Sequence, residues 1–340
     1  MSIPYRTQQR LKRTAIVTLI LLVVAVIIWG MWVIWLQRFV TYTRDEGAVI
    51  NFDQPETLPA GELAAPPAED TQIEIYYNEG DNKINVGLEL TQLKGYYVTE
   101  DELYDDPDSI WTRVEMLPTN TAVMLDVKDI YGAFYYNTNT GRPKIDAAKA
   151  SAVDALLAKL KSSGLYTIAI VHALRDRAFG LDNTGSGLPV EGGYLWVDEY
   201  NCYWLDPTAE GTITYLINIA KELQALGFDE VVFEDYYFPE SEEIIFYGDK
   251  KQALEETAQT LVTSCASNAF AVSFVSDGSW TAPTGRSRTY RDDINTPVEL
   301  LTVVKDMTIE EHNIHLVFVT SNMDERFEEY GVLRPLEQHR

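Results

Sequence analysis

The chain has almost no cysteine: Cys202 and Cys265 are the only two among 340 residues. That excludes a disulfide framework and a CxxC metal site, and leaves either one bridge between the two or a pair of buried free thiols. Histidine is nearly as scarce, with four copies. His312 and His315 stand three apart, but no third ligand accompanies them, so no metal is expected. No GxGxxG or Walker sequence occurs either, which argues against a nucleotide site; no cofactor is expected. Basic charge is the last deficit, with 27 Lys and Arg against 52 Asp and Glu and a net charge of −25. Residues 1–44 hold six of the basic residues and no acidic one, so the rest of the chain carries 21 basic against 52 acidic groups, a net of −31. Phosphate backbones are bound through basic surface, so nucleic acid is excluded as a partner and neutral or cationic ligands are favoured.

Apolar residues, by contrast, make up 46% of the chain, ample for a large core. Thr14 to Leu36 is a run of 23 residues without a charge. As a helix it would span roughly 35 Å, enough for a hydrocarbon core of about 30 Å, and it exceeds the roughly 7 to 15 apolar residues of a signal peptide. Arg6, Arg10, Lys12 and Arg13 precede it and Asp45 and Glu46 follow, a bias that places the N-terminus in the cytoplasm. The expected organisation is a cytoplasmic tail over 1–13, a transmembrane helix over 14–36 with the lipid bilayer as partner, an extracellular Pro- and Ala-rich linker over 37–71, and a (β/α) barrel domain over 72–340. The expected localisation is the cell membrane, single-pass, with the C-terminal domain extracellular.

A β-hairpin is expected around NEGDN, from Ile73 to Leu90. Strands are then expected over 95–99, 122–127, 167–173, 230–238, 270–275 and 315–320, and helices over 147–163, 212–226, 251–267 and 297–311. Regular alternation of strand and helix means a parallel sheet. The expected fold class is α/β, a (β/α)8 TIM-barrel-like domain, closed or irregular and incomplete, because only six strands are clear. An open doubly wound sheet stays in play.

The densest chemistry lies in GFDEVVFEDYYFP, residues 227–239. Ile217, Ala220, Leu223 and Leu226 recur at helical spacing, and Gly227 supplies the left-handed residue that closes a helix. Val231, Val232 and Phe233 form an apolar run typical of a strand buried on both faces. Side chains alternate along a strand, so if Phe233 meets the covering helices, Glu234 faces inward. In AVMLDVKD, residues 122–129, the same alternation places Asp126 and Lys128 together at the barrel mouth. Glu234 and Asp126 are therefore the candidate catalytic pair; a structural ion pair is the competing account for each. The candidate substrate-binding residues at strand ends and in the long third connection are Lys128, Asp129, His172, Asp176, Trp204, Asp206, Asp235, Tyr237, Asp277 and Asn322. Asp206 in WLDP also suits a helix N-cap, and Trp204 and Tyr237 also suit a core. Carboxylates ringed by aromatics suit a sugar, because rings stack on pyranose faces while acids protonate and attack the glycosidic bond.

Taken in order, KGYYVT at 94–99, AVMLDVKD at 122–129, GLYTIAIVHALRD at 164–176, WLDP at 204–207 and GFDEVVFEDYYFP resemble the glycoside-hydrolase-like family of bacterial secreted and membrane-anchored proteins. The resemblance spans Lys94 to Pro239 and implies a TIM barrel, a polysaccharide or glycan as partner, and acidic strand ends as the site. It implies departures as well. Glu234 stands where the family has Asp, Tyr237 where it has Arg, Ile170 where it has Arg, and Val275 where it has an acid. Two functions are therefore expected as alternatives: a membrane-anchored extracellular hydrolase of cell-wall or exopolysaccharide glycans, or a catalytically degenerate barrel that binds glycan or protein at the cell surface.

Overall fold

Short apolar runs bounded by turns pair into a ring in the computed structural model, which describes residues 40–43, 47–50, 89–143, 147–307 and 309–336. The chain divides into two compact units, 1–79 and 80–340. In the first, Val40–Thr43 pairs antiparallel with Gly47–Ile50, with Val40 opposite Ile50.

In the second, eight strands form the ring: β1 (Lys94–Val98), β2 (Ala122–Lys128), β3 (Tyr166–His172), β4 (Glu230–Glu234), β5 (Ala271–Val275), β6 (Thr289–Arg291), β7 (Leu316–Val319) and β8 (Gly331–Pro335). Each pairs parallel with the next, and β8 returns to β1 with Val332 opposite Lys94. The incomplete or open alternatives are thereby corrected to a closed eight-stranded parallel barrel. The two strands missing from the sequence reading are β6, only three residues long, and β8, GVLRP, whose Gly and Pro disguise it.

Among the described residues the α-helices are α1 (Glu100–Asp105), α2 (Pro107–Val114), α3 (Ala147–Lys161), α4 (Arg177–Asp182), α5 (Glu210–Leu226), α6 (Lys250–Cys265), α7 (Pro297–Asp306) and α8 (His312–His315). Their ends follow local chemistry. Thr99 and Thr296 each form a reciprocal capping box, with Glu102 and Glu299 respectively. Gly227, at φ 103°, closes α5 by donating to Leu223 O. Pro239 had suggested that β4 runs to about 238. It stops at Glu234, because Asp235 is left-handed, at φ 51°.

The expected transmembrane helix needs correction. Among the described residues no helix is long and apolar enough to cross a membrane. The longest, α5, has 17 residues and carries Glu210, Lys221 and Glu222, whereas a span needs about 20 predominantly apolar ones. Single-pass topology, the bilayer as partner, and the anchored, extracellular form of the functional reading are withdrawn accordingly. The predicted span over 14–36 lies outside the described residues, as do the cytoplasmic tail and nearly all of the hairpin expected over 73–90.

Two apolar layers position the site. Ala122, Met124, Ile168, Val232, Tyr290, Val317 and Leu333 pack together with no helical residue among them, and so fill the barrel interior. Val123, Leu125, Val171, Val231, Phe233 and Phe274 pack instead with Leu156, Leu216, Leu223 and Leu261 of the surrounding helices. At the N-terminal end of the barrel, Glu230 is fully buried and accepts hydrogen bonds from Tyr166, Ser273, Tyr290 and Arg288. The Arg288 guanidinium also donates to Thr91 O at 3.0 Å and Ile314 O at 3.2 Å. This buried charge is paired and fully hydrogen-bonded, as a charge in a low-dielectric interior must be.

Candidate functional site

Active sites of such barrels lie at the C-terminal strand ends. In the inward series of β2, Ala122 and Met124 lead to Asp126; in that of β4, Val232 leads to Glu234. Burial pushes the Asp126 carboxyl up to about 7, a rise opposed by His172 and reinforced by Glu100. Burial likewise pushes Glu234 up to about 7; His172 opposes, and the charges of Asp126, Asp235 and Asp292 add to the rise. Asp126 Oδ1 is buried and, among the described residues, has no hydrogen-bond partner.

His172 ends β3 and is the backbone partner of Glu234. Its Nδ1 lies 2.8 Å from Asp235 Oδ2 and 3.6 Å from Glu234 Oε2. Burial alone would lower the imidazole's pKa, but the hydrogen bond to Asp235 and the charges of Glu234, Asp235 and Asp126 hold it above its ordinary value.

Glu234 and Asp235 also border a cleft of about 660 Å³ formed with the segments that follow β4, β5 and β6. Tyr237, Asp277, Ser279, Trp280, Arg291, Asp292 and Asp293 are among its lining residues; Asp126 and His172 are not. Tyr237 is half exposed and its ring packs 4.8 Å from Trp204. The Asp277 carboxylate accepts from Ser279 N at 2.8 Å. Arg291 clamps Asp293 through two hydrogen bonds, at 2.8 and 2.7 Å.

The remaining candidates belong to the scaffold. Lys128 does not share a face with Asp126. Asp126 pairs with Ile170, but Lys128 pairs with the very next residue, Val171, so a bulge turns Lys128 into the strand–helix layer. There its ammonium, fully buried, lies 2.9 Å from Asp176 Oδ2 and donates to His172 O at 2.7 Å. Asp176 caps α4 through Phe179 N and accepts from Tyr215 OH. Asp129 Oδ1 holds the turn after β2 by accepting from Tyr131 N and Ala133 N. Trp204 is buried and donates to Asp198 Oδ2 at 3.2 Å. Asp206 closes a turn on Thr208; the residue before α5 is Ala209, so Asp206 is not its N-cap. Asn322 bonds Asn295 O and Asp324 N, a turn beyond β7. Cys202 and Cys265 are both free and buried. His312 and His315 bond separate carbonyls, of Met307 and Ser287.

Sequence reasoning missed Arg291, Asp292 and Asp293, because the first ends the unrecognised β6 and the two acids follow it. The run RDD directly after Thr289 and Tyr290 was the available signal. It also missed the buried Tyr135, whose hydroxyl donates to Glu100 Oε2 at 2.7 Å, and Glu100 in turn raises Asp126.

A family described as "Putative glycosyl hydrolase domain" matches residues 95–272, more than half of the chain and the segment that carries β1 to β4 with Asp126, His172 and Glu234. The chain belongs to this family. No curated protein matches it. Among solved structures, it is similar to a hypothetical protein from Ruminiclostridium thermocellum, at 23% identity over 52% of this chain and 96% of that one, with a TM-score of 0.40. It is also similar to the glycoside hydrolase domain of PelA from Pseudomonas aeruginosa, at 14% identity over 71% and 88%, TM-score 0.43. An alpha-galactosidase from Lactobacillus brevis is 9% identical over 72% of this chain and 35% of its own, TM-score 0.47.

Proposed function

We propose that this glycosyl-hydrolase-family barrel cleaves a glycosidic bond, with Glu234 as general acid and Asp126 as the carboxylate acting on the sugar. One observation carries the reading. Two carboxyl groups at the C-terminal ends of β2 and β4 are both held near 7, and the charge of Asp126 raises Glu234. Carboxyl groups held near 7 are each partly protonated at neutrality, so a protonated acid beside an ionised partner is an accessible state. Glycoside hydrolysis needs that state: a protonated acid to release the leaving group and an ionised partner to attack the anomeric carbon or activate water. Glu234 takes the acid role because it borders the cleft, where a leaving group has room; Tyr237 offers a half-exposed ring to it.

The test is Glu234→Gln in the full chain, assayed on a glycan panel. Cleavage should fall at least about 100-fold, the usual worth of a positioned acid, while the unfolding transition persists. Unchanged turnover would refute the assignment. Saturable glycan binding without cleavage by the unmodified chain would select the degenerate binding module instead.

A further inference from the structure

The carboxyl groups of the proposed pair stand on β2 and β4, and the strand between them in the ring is β3. His172, the last residue of β3, therefore sits between them, and three contacts fix it there. Its carbonyl accepts from Lys128 Nζ at 2.7 Å, and the amide of the next residue, Ala173, donates to Glu234 O at 2.8 Å. Its Nδ1 is held by Asp235 Oδ2 at 2.8 Å. That last contact depends on the left-handed backbone at Asp235. Simple alternation would turn Asp235 to the face opposite Glu234, whereas here both carboxylates approach the same imidazole.

The charges that act most strongly on His172 are acidic: Glu234 and Asp235 from β4, and Asp126 from β2. The ammonium of Lys128 is turned into the other layer, against Asp176. Burial and neighbouring carboxylates oppose ionisation of Asp126 and Glu234, and in both cases His172 is the strongest charge acting the other way. We infer that His172, anchored by Asp235, is a positioning residue whose imidazolium is the shared counter-charge that keeps one of Asp126 and Glu234 ionised at neutral pH. Its catalytic meaning rests on the proposed glycosidase reading; its electrostatics do not.

The experiment is a ¹³C-carboxyl NMR titration of Asp126 and Glu234 in the full chain, unmodified and as His172→Gln, beside the pH profile of glycan cleavage. Loss of the cation should move both carboxyl titrations, and the pH profile, to higher pH by about one unit or more. Asp235→Asn also removes a charge that raises Glu234 directly, so the Asp126 titration reads the anchoring: it should rise more weakly than in His172→Gln, and no further when the two substitutions are combined. Carboxyl titrations in His172→Gln that match the unmodified chain would overturn the inference. Should that variant fail to fold, ¹⁵N NMR of the unmodified chain decides. An imidazole still charged above the ordinary value of about 6.5 supports the inference, and a neutral one at pH 7 overturns it. Shifted carboxyls without any cleavage would leave the inference standing and remove the glycosidase reading. Cleavage with unshifted carboxyls would do the reverse.

Discussion

Glu234 and Asp126 illustrate how a site opposes the fold that holds it. Their ordinary values are 4.5 and 3.8, and both stand at about 7 in the folded chain. The folded state therefore retains protons that the unfolded state releases. The associated stability is fully present below about pH 4 and is lost as pH rises through about 7. Glu234→Gln should consequently be more stable than the unmodified chain at pH 8, by on the order of 2 kcal/mol, because a quarter of the side chain still meets solvent and moderates the penalty. The gap should close toward pH 4, and urea denaturation at the two pH values measures it. Lys128 is the opposite case. Removing its charge, as in Lys128→Met, strands Asp176 in the interior and should cost about 3–5 kcal/mol in the same measurement. Alternation alone placed Lys128 in the site beside Asp126. The bulge that turns it away is a matter of one residue of register, which no local pattern in AVMLDVKD announces.

At the scale of elements, the strands and helices with a strong period were legible and the short ones were not. The four expected helices begin within two residues of α3, α5, α6 and α7, because each carries an apolar stripe or a cap. The pair α1 and α2 went unread although Thr99 and Glu102 spell a capping box and Asp106–Pro107 a helix start. The loop between β2 and α3 shows how connections serve the site. Gly132, at φ 80°, approaches Asp176 so closely that an added Cβ would lie 2.1 Å from Asp176 Oδ1. Gly132→Ala should therefore destabilise the chain by on the order of 2 kcal/mol, through both the left-handed backbone and the displaced carboxylate, as read by thermal unfolding. A similar substitution at the exposed Gly193, where nothing lies within 4 Å but φ is 81°, should cost only the backbone part, about 1 kcal/mol.

For the whole molecule, closure of the ring is the decisive event. β8 pairs with both β7 and β1, so it joins the last strand to the first. Deletion of residues 331–340 should leave two unpaired edges and abolish cooperative unfolding, which circular dichroism during a urea titration would show. At the base of the barrel, Arg288→Met would leave Glu230 uncompensated at full burial. It should destabilise by about 3–5 kcal/mol in the same urea titration.

The sequence by itself determined the class of fold and the two inward carboxylates, because a parallel barrel imposes period two on its strands and period 3.6 on its helices, and both periods are written locally. It also determined the deficit of basic charge, 27 Lys and Arg against 52 Asp and Glu. Only the tertiary structure decided that eight strands close, that Lys128 belongs with Asp176, and that Asp292 and His172 join the neighbourhood of Glu234. Those outcomes depend on register, on one bulge and on one left-handed residue, which arise when strands distant in the chain are brought into pairing.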